Sequence, residues 1–133
     1  MLERHPIQKL TAIFTGGAVG ALIRVGLSES FPHSVAAWPW PTFVVNITGA
    51  FLIGYLFAAF RDRPPGQIHH PFLAIGICGT LTTFSTMQLE LFNMLEMGET
   101  ALAGLYLTAS LLIGYFALRL GIAVETLRRG TSN

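Results

Sequence analysis

Charged residues are scarce in this sequence, and cysteine is nearly absent. Only 11% of its 133 residues are charged and 52% are hydrophobic, whereas an ordinary soluble domain has about 25% charged residues. The single cysteine, Cys78, permits no internal disulfide. These shortages exclude a typical soluble domain and indicate an all-α integral membrane protein, because backbone groups in lipid must be paired within the segment.

Four long apolar stretches account for nearly the whole chain. They cover about residues 7–27, 41–60, 71–95 and 100–120. Each contains about 20 residues, which is what a helix needs to cross a hydrocarbon core about 30 Å thick. The sequence therefore predicts a single four-helix membrane domain over residues 1–133.

Positive charges are distributed unevenly around these segments. If all four span, Arg24 lies toward one side, and the other Lys and Arg residues lie toward the opposite side: Arg4, Lys9, Arg61, Arg63, Arg119, Arg128 and Arg129. The positive-inside rule then places both termini and the 61–70 link in the cytoplasm of a multi-pass cell-membrane protein. The net charge is +1 with no basic stripe outside these flanks, so no nucleic-acid partner is expected.

Polar groups at membrane depth need a partner, water or a ligand. Gly16, Gly20 and Arg24 recur at four-residue spacing, so the glycines form a flat stripe for close helix approach. Arg24 lies near the far interface, where it either snorkels or offers a positive field to an anion in a vestibule. Asn46 is the only strongly polar side chain of the second segment. It either joins two helices or supplies a neutral donor pair to an anion.

The third segment contains the most polar run, CGTLTTFSTMQLE, in which five hydroxyl residues lie between Thr80 and Thr86. Glycine and threonine have poor helix propensity, so the helix is expected to break near Gly79 to Thr83. Irregular backbone at membrane depth survives only where it is buried or lines a cavity, and broken helices bind ions in transport proteins. Residues 79–86 are therefore predicted to form an ion or substrate site.

The fourth segment places Tyr106 and Ser110 one turn apart on one helical face. Serine can bond back to its own helix, which would leave it without a functional role. A tyrosine facing lipid well inside the span would be unusual. The pair is therefore predicted to form a polar track on a buried face.

Three blocks of sequence resemble the Fluc (CrcB) family of fluoride channels. They are GGAVGALIR from Gly16 to Arg24, PTFVVNITGAFLIG from Pro41 to Gly54, and GICGTLTTFSTMQLE from Gly76 to Glu90. The resemblance implies four-helix subunits that pair as antiparallel dimers in the membrane. It also implies passive, selective conduction of fluoride out of the cytoplasm through two pores at the dimer interface, which lowers fluoride toxicity.

The resemblance also implies roles for single residues. Asn46 and Phe84 match residues that line the fluoride path, and Arg24 matches the arginine that closes the first-helix motif, at the vestibule. Other positions along the path match hydroxyl residues beside the break, Thr83 and Ser85, and the polar track of the fourth helix, Tyr106 and Ser110. The backbone carbonyls of Gly79 and Thr82, from both subunits, match those that hold a structural sodium ion. Glu90 aligns with an acidic residue, and its role stays open.

The chain departs from the family pattern at two positions. Met87 stands where a second phenylalanine is usual, and Gly79-Thr80 replaces a double glycine. Methionine has no aromatic edge, so conduction past Met87 is an open question. Together with the charge bias, Met87 leads to the hypothesis of either an antiparallel homodimer or a heterodimer with a sister subunit.

Two other functions compete with the fluoride channel. A proton-coupled small multidrug exporter needs a membrane carboxylate, for which Glu90 is the only candidate. A structural partner subunit of a heterodimeric channel is the other. No nucleotide motif, metal-ligand cluster or nucleophile constellation occurs in the sequence, so no enzyme is expected. The adjacent His69 and His70 are interpreted as solvated histidines and not as a metal pair.

Overall fold

The computed structural model describes residues 6–31, 34, 37–63 and 68–131, so Arg4 lies outside the described residues. Within these ranges the chain is helical throughout, apart from its links. The elements are α1 (Pro6–Ser30), α2 (Trp40–Phe60), a π-helical segment π1 (Pro71–Cys78), α3 (Gly79–Leu81), α4 (Phe84–Glu96) and α5 (Thr100–Gly130). Four spans, Pro6–Ser30, Trp40–Phe60, Pro71–Glu96 and Thr100–Gly130, are long and apolar enough to cross a membrane. The prediction of four helices of this length and apolarity is thereby confirmed.

Helix ends follow local chemistry. Pro41 in the first turn of α2 and Pro71 at the start of π1 lack an N–H that would have no partner there. Beyond the end of α4, Gly98 adopts a φ of 81°. Its N–H bonds the Leu95 carbonyl at 3.0 Å, and the Glu99 N–H bonds the Met94 carbonyl at 2.9 Å. This Schellman motif turns the chain directly into α5.

The last helix is longer than the sequence predicts. Its apolar stretch was expected to end at about residue 120, but α5 continues to Gly130. Glu125 is fully buried in this extension. Its carboxylate pairs with Arg128 at 2.7 Å and with Arg129 at 3.0 Å, and Arg129 also reaches Asp62 at 2.9 Å. Ion pairs at three- and four-residue spacing stabilise the helix beyond the point where hydropathy falls.

Close backbone contacts at glycine join the helices in two parallel pairs. A Cβ at Gly16 or Gly20 would overlap the backbone of π1, and one at Gly54 or Gly121 would overlap the backbone of α5 or α2. The predicted stripe at Gly16 and Gly20 is thereby confirmed as a helix contact. Helix α1 runs parallel to the third span, Pro71–Glu96, and α2 runs parallel to α5. Both described termini therefore lie at the same end of the bundle as Arg61.

A cluster of buried residues lies at the opposite end of the bundle, between α4 and α5. It consists of Met87, Met94, Ala103 and Tyr106, and it is covered by Trp38, Phe43, Leu91 and Leu102. Many other large apolar side chains are exposed on the surface of the single chain. This distribution fits a membrane protein, because lipid covers its outer faces.

Candidate functional site

The helical path of the third segment is interrupted after Leu81. Thr82 and Thr83 have extended backbones, with φ/ψ of −72°/148° and −145°/108°, and α4 begins at Phe84. The Thr82 hydroxyl donates to the Cys78 carbonyl at 3.0 Å, and the Thr83 hydroxyl oxygen accepts the Thr86 N–H at 3.1 Å. Hydroxyl side chains therefore satisfy backbone groups on both sides of the extended pair.

Asn46 reaches this interruption from α2. Its Nδ2 donates to the Thr83 carbonyl at 3.2 Å, and its Oδ1 accepts the Thr83 N–H at 2.8 Å. One side-chain amide thus replaces the helical partners that Thr83 lacks. Gly49 lies about one turn after Asn46 in α2, and a Cβ added there would overlap the Thr82 side chain. Helix α2 therefore approaches the interruption closely. The sequence left Asn46 open between joining helices and contacting an anion, and it does join helices.

Arg24 and Thr80 attach α1 to the other side of the interruption. The Arg24 Nε donates to the Thr80 carbonyl at 3.1 Å. The Thr80 hydroxyl oxygen lies 2.9 Å from the carbonyl oxygens of both Gly17 and Gly76. The half-buried Arg24 is therefore held beside the last turn before the extended pair, and its guanidinium carries a positive charge there.

Glu90 forms a polar network with residues of two other helices. Its Oε1 accepts a hydrogen bond from the Thr42 hydroxyl, and its Oε2 accepts one from the Tyr106 hydroxyl at 2.8 Å. Tyr106 is 0% exposed. Its ring packs edge-on against Trp38, with centroids 5.4 Å apart. Sequence reasoning identified Tyr106 and Glu90 but missed Thr42, although Thr42 lies one turn before Asn46 on the same face of α2.

The remaining predicted residues fall into an exposed group and a buried group. Phe84 is 65% exposed, and the neighbouring Ser85 is exposed too. Met87 is only 4% exposed and belongs to the core with Tyr106. The Ser110 hydroxyl oxygen is buried and has no hydrogen-bond partner among the described residues. The structure therefore brings Asn46, Thr83 and Arg24 to the interruption, whereas Tyr106 and Ser110 lie on α5.

Gly79 begins the last helical turn before the interruption, and Thr82 follows that turn. Gly79 is exposed, and a Cβ added there would meet only the Ala74 carbonyl oxygen, at 4.0 Å. Space is therefore available around its backbone. Carbonyl oxygens at a helix end are hard ligands of the kind that a sodium ion prefers, so the residues present fit the implied ion.

Comparison with known proteins identifies the family of this chain. Residues 11–122 match the family model described as CrcB-like protein, Camphor Resistance (CrcB). "Fluoride-specific ion channel FluC 1" of Mycobacterium bovis is 45% identical over 120 residues, which cover 90% of this chain and 91% of the relative. The protein of that name from Mycolicibacterium paratuberculosis is 44% identical over 129 residues, or 96% of each chain.

A more distant relative agrees with the first two. "Fluoride-specific ion channel FluC" of Hyphomonas neptunium is 42% identical over 110 residues, which cover 80% of this chain and 87% of the relative. The matched range includes the interruption at Thr82 and Thr83, together with Arg24, Asn46, Tyr106 and Ser110. Since the family model covers most of the sequence and these relatives match over most of their own length, the chain belongs to the CrcB family of membrane proteins.

Proposed function

We propose that this chain is a subunit of a fluoride-selective passive channel, which lets fluoride leave the cytoplasm across the cell membrane and so lowers its toxicity. The observation that carries the proposal is the match to relatives named fluoride-specific ion channel over nine-tenths of the chain. The interruption at Thr82 and Thr83, with Asn46 and Arg24 beside it, supports the proposal because irregular backbone at membrane depth is characteristic of ion pathways.

Neutral donors suit the transport of fluoride. The ion is small and strongly hydrated, so a pore must replace its water and still release it. Asn46, Thr83, Ser85 and Ser110 offer amide and hydroxyl groups, and the edge of the Phe84 ring is weakly electropositive. Tyr106 lies on the same track as Ser110, with its hydroxyl hydrogen donated to Glu90. Arg24 supplies the full positive charge at the vestibule, where it attracts the anion without trapping it in the narrow part.

Met87 occupies the position of the second pore phenylalanine that the family resemblance implies. It packs in the same cluster as Tyr106, so it adjoins the proposed path from the side of the core. Its thioether is polarizable and fills irregular space. With methionine at this position, the path has no electropositive ring edge there.

The functional unit is an antiparallel dimer. Phe84 and Ser85 are exposed on the surface of one chain, and a partner must cover them if they are to line a narrow path. The extended pair at Thr82 and Thr83 is the break of the third helix. At this break the carbonyls of Gly79 and Thr82, from both subunits, would hold a structural sodium ion.

The exporter alternative is weaker because Glu90 is already engaged. Both of its carboxylate oxygens accept hydrogen bonds, from Thr42 and Tyr106. Proton exchange against a cationic substrate requires a carboxylate that the substrate can reach. The relatives that match this chain are also named as fluoride channels, which favours the channel over the exporter.

Purified protein in liposomes loaded with fluoride tests the proposal. Rapid fluoride efflux at the membrane potential, unaffected by chloride, is the expected result. Proton-driven uptake of a cation would instead establish the exporter. If neither occurs until a second family subunit is added, the chain is a structural partner.

The identity of the partner is tested by orientation. If all four segments span, seven of the eight Lys and Arg residues are expected on one side, whereas a homodimer of opposed subunits must insert in both directions. Reporter groups fused to the C-terminus give the orientation of the chain when it is expressed alone. Both orientations, together with fluoride efflux, establish a homodimer, and a single orientation establishes the need for a sister subunit.

A further inference from the structure

Two buried polar atoms near Tyr106 lack hydrogen-bond partners among the described residues: the Trp38 indole Nε1 and the Ser110 hydroxyl oxygen. Ser110 was already expected on the polar track. Trp38 was not, and it lies outside α2, two residues before the helix begins. A buried N–H without an acceptor is rare in folded proteins and needs an explanation.

Trp38 is held firmly in position. Its ring lies edge-on to Phe43 and Tyr106, with centroid separations of 5.2 and 5.4 Å. Its carbonyl accepts the Trp40 N–H at 2.9 Å. Because the ring and the backbone are both fixed, the N–H has a defined position, and the ring that carries it packs against Tyr106 of the polar track.

Other donors at this place are already used. The Tyr106 hydroxyl has one hydrogen, which it directs to Glu90, and the Thr42 hydroxyl directs its hydrogen to the same carboxylate. Neither can donate to an anion without leaving Glu90. Among the described residues near Tyr106, the donors that remain are the Trp38 N–H and the Ser110 O–H.

We propose that the Trp38 indole N–H is a further anion-binding donor on the transport path, at the end of the Tyr106–Ser110 track that lies away from Arg61. An indole nitrogen donates and never accepts, so its complement is a pure acceptor such as fluoride. It also carries no charge, so it binds the anion without holding it as an arginine would. This inference rests on the proposed function and adds one residue to its path.

The first test removes the N–H and keeps the ring. Incorporating 3-benzothienylalanine at position 38, in which sulfur replaces the N–H, should lower fluoride efflux about tenfold, because a hydrogen bond to a charged group is lost. Trp38→Phe should also lower fluoride efflux. Trp40→Phe is the matched control, since Trp40 is 62% exposed, and it should leave efflux unchanged.

The second test observes the N–H directly. The chain has two tryptophans, so Trp40→Phe leaves Trp38 as the only indole, and Trp38→Phe leaves Trp40. In full-length ¹⁵N-labelled protein, sodium fluoride should move the Trp38 indole proton resonance downfield, while equal sodium chloride should not. The Trp40 resonance should not move with either salt.

The outcomes separate the inference from the proposed function. If liposomes with the wild-type protein release fluoride but the Trp38 indole proton resonance does not move on addition of fluoride, the N–H donates to water or protein. The inference is then overturned. Unchanged efflux with benzothienylalanine overturns it as well. If the wild-type protein releases no fluoride under any condition, the proposed function fails, and the resonance still reports whether the anion reaches Trp38.

Discussion

The Asn46 side chain and the Thr83 backbone exchange two hydrogen bonds, at 3.2 and 2.8 Å. The contact joins helix α2 to the point where the third helix leaves its regular path. Thr83 can be extended in a membrane only because a side chain replaces its helical partners. Asn46 is therefore required first for the shape of the site, and any contact with an anion depends on that shape.

Replacing Asn46 by Ala should destabilise the protein, because the Thr83 N–H and carbonyl are both left without a partner. Each unsatisfied buried group costs about 1–3 kcal/mol. Thermal unfolding in detergent measures the loss, and fluoride efflux should fall with it. Thr48→Ala on the same helix is the control, since Thr48 is exposed. An Asn46→Ala protein as stable as the wild type would show that the two hydrogen bonds contribute little.

Replacing Phe84 by Ile should abolish fluoride efflux and leave the dimer intact. Isoleucine keeps an apolar side chain on this exposed position but removes the electropositive ring edge. Efflux from liposomes and elution on size exclusion together check the two parts of the prediction. Phe92→Ile is the matched control, because Phe92 is an exposed phenylalanine two turns along the same helix. Efflux of the Phe84→Ile protein at the wild-type rate would remove Phe84 from the path.

Hydropathy and spacing predicted much of the fold. Each membrane span is an apolar run of sufficient length, and this property depends only on local sequence. The stripe at Gly16 and Gly20 follows from four-residue spacing, which places both glycines on one helical face. The extension of α5 to Gly130 could not be predicted from apolar content. It depends on Glu125, which lies beyond the predicted apolar run and whose ion pairs with Arg128 and Arg129 stabilise the helix there.

The site was less accessible to sequence reasoning. Glu90 contacts Thr42, which lies 48 residues earlier, and Tyr106, which lies 16 residues later. Such contacts are set by the packing of three helices, and no spacing within one helix indicates them. Trp38 was missed for a related reason. It lies in a link before α2, where periodicity gives no information about burial.

Replacing Gly20 by Ala should destabilise the contact between α1 and π1. A Cβ there would overlap the Ile77 carbonyl and the Thr80 hydroxyl, so the helices must separate. Overpacking of this kind costs about 1–3 kcal/mol. Gly26→Ala is the control in the same helix, because nothing lies within 4 Å of its added Cβ. Alanine at that position should stabilise the helix by up to about 1 kcal/mol, and thermal unfolding of both variants gives the comparison.

The Gly20→Ala variant also tests whether the contact between α1 and π1 matters for transport. The Thr80 carbonyl accepts a hydrogen bond from the Arg24 Nε, so separating α1 from π1 moves Arg24. Fluoride efflux by the Gly20→Ala protein should therefore fall even at a temperature where the protein remains folded. Full efflux from a destabilised but folded protein would mean that the position of Arg24 is not critical.

Replacing Met87 by Leu should preserve both stability and efflux, whereas Met87→Phe should lower stability. Met87 is 4% exposed and packs with Met94 and Tyr106, so it has little room for a larger ring. A volume-conserving swap costs less than about 1.5 kcal/mol, and overpacking costs about 1–3 kcal/mol. Thermal unfolding and liposome efflux measure both variants. A Met87→Phe protein that is more stable and conducts faster than the wild type would instead show that this subunit lost a pore phenylalanine and kept the space for it.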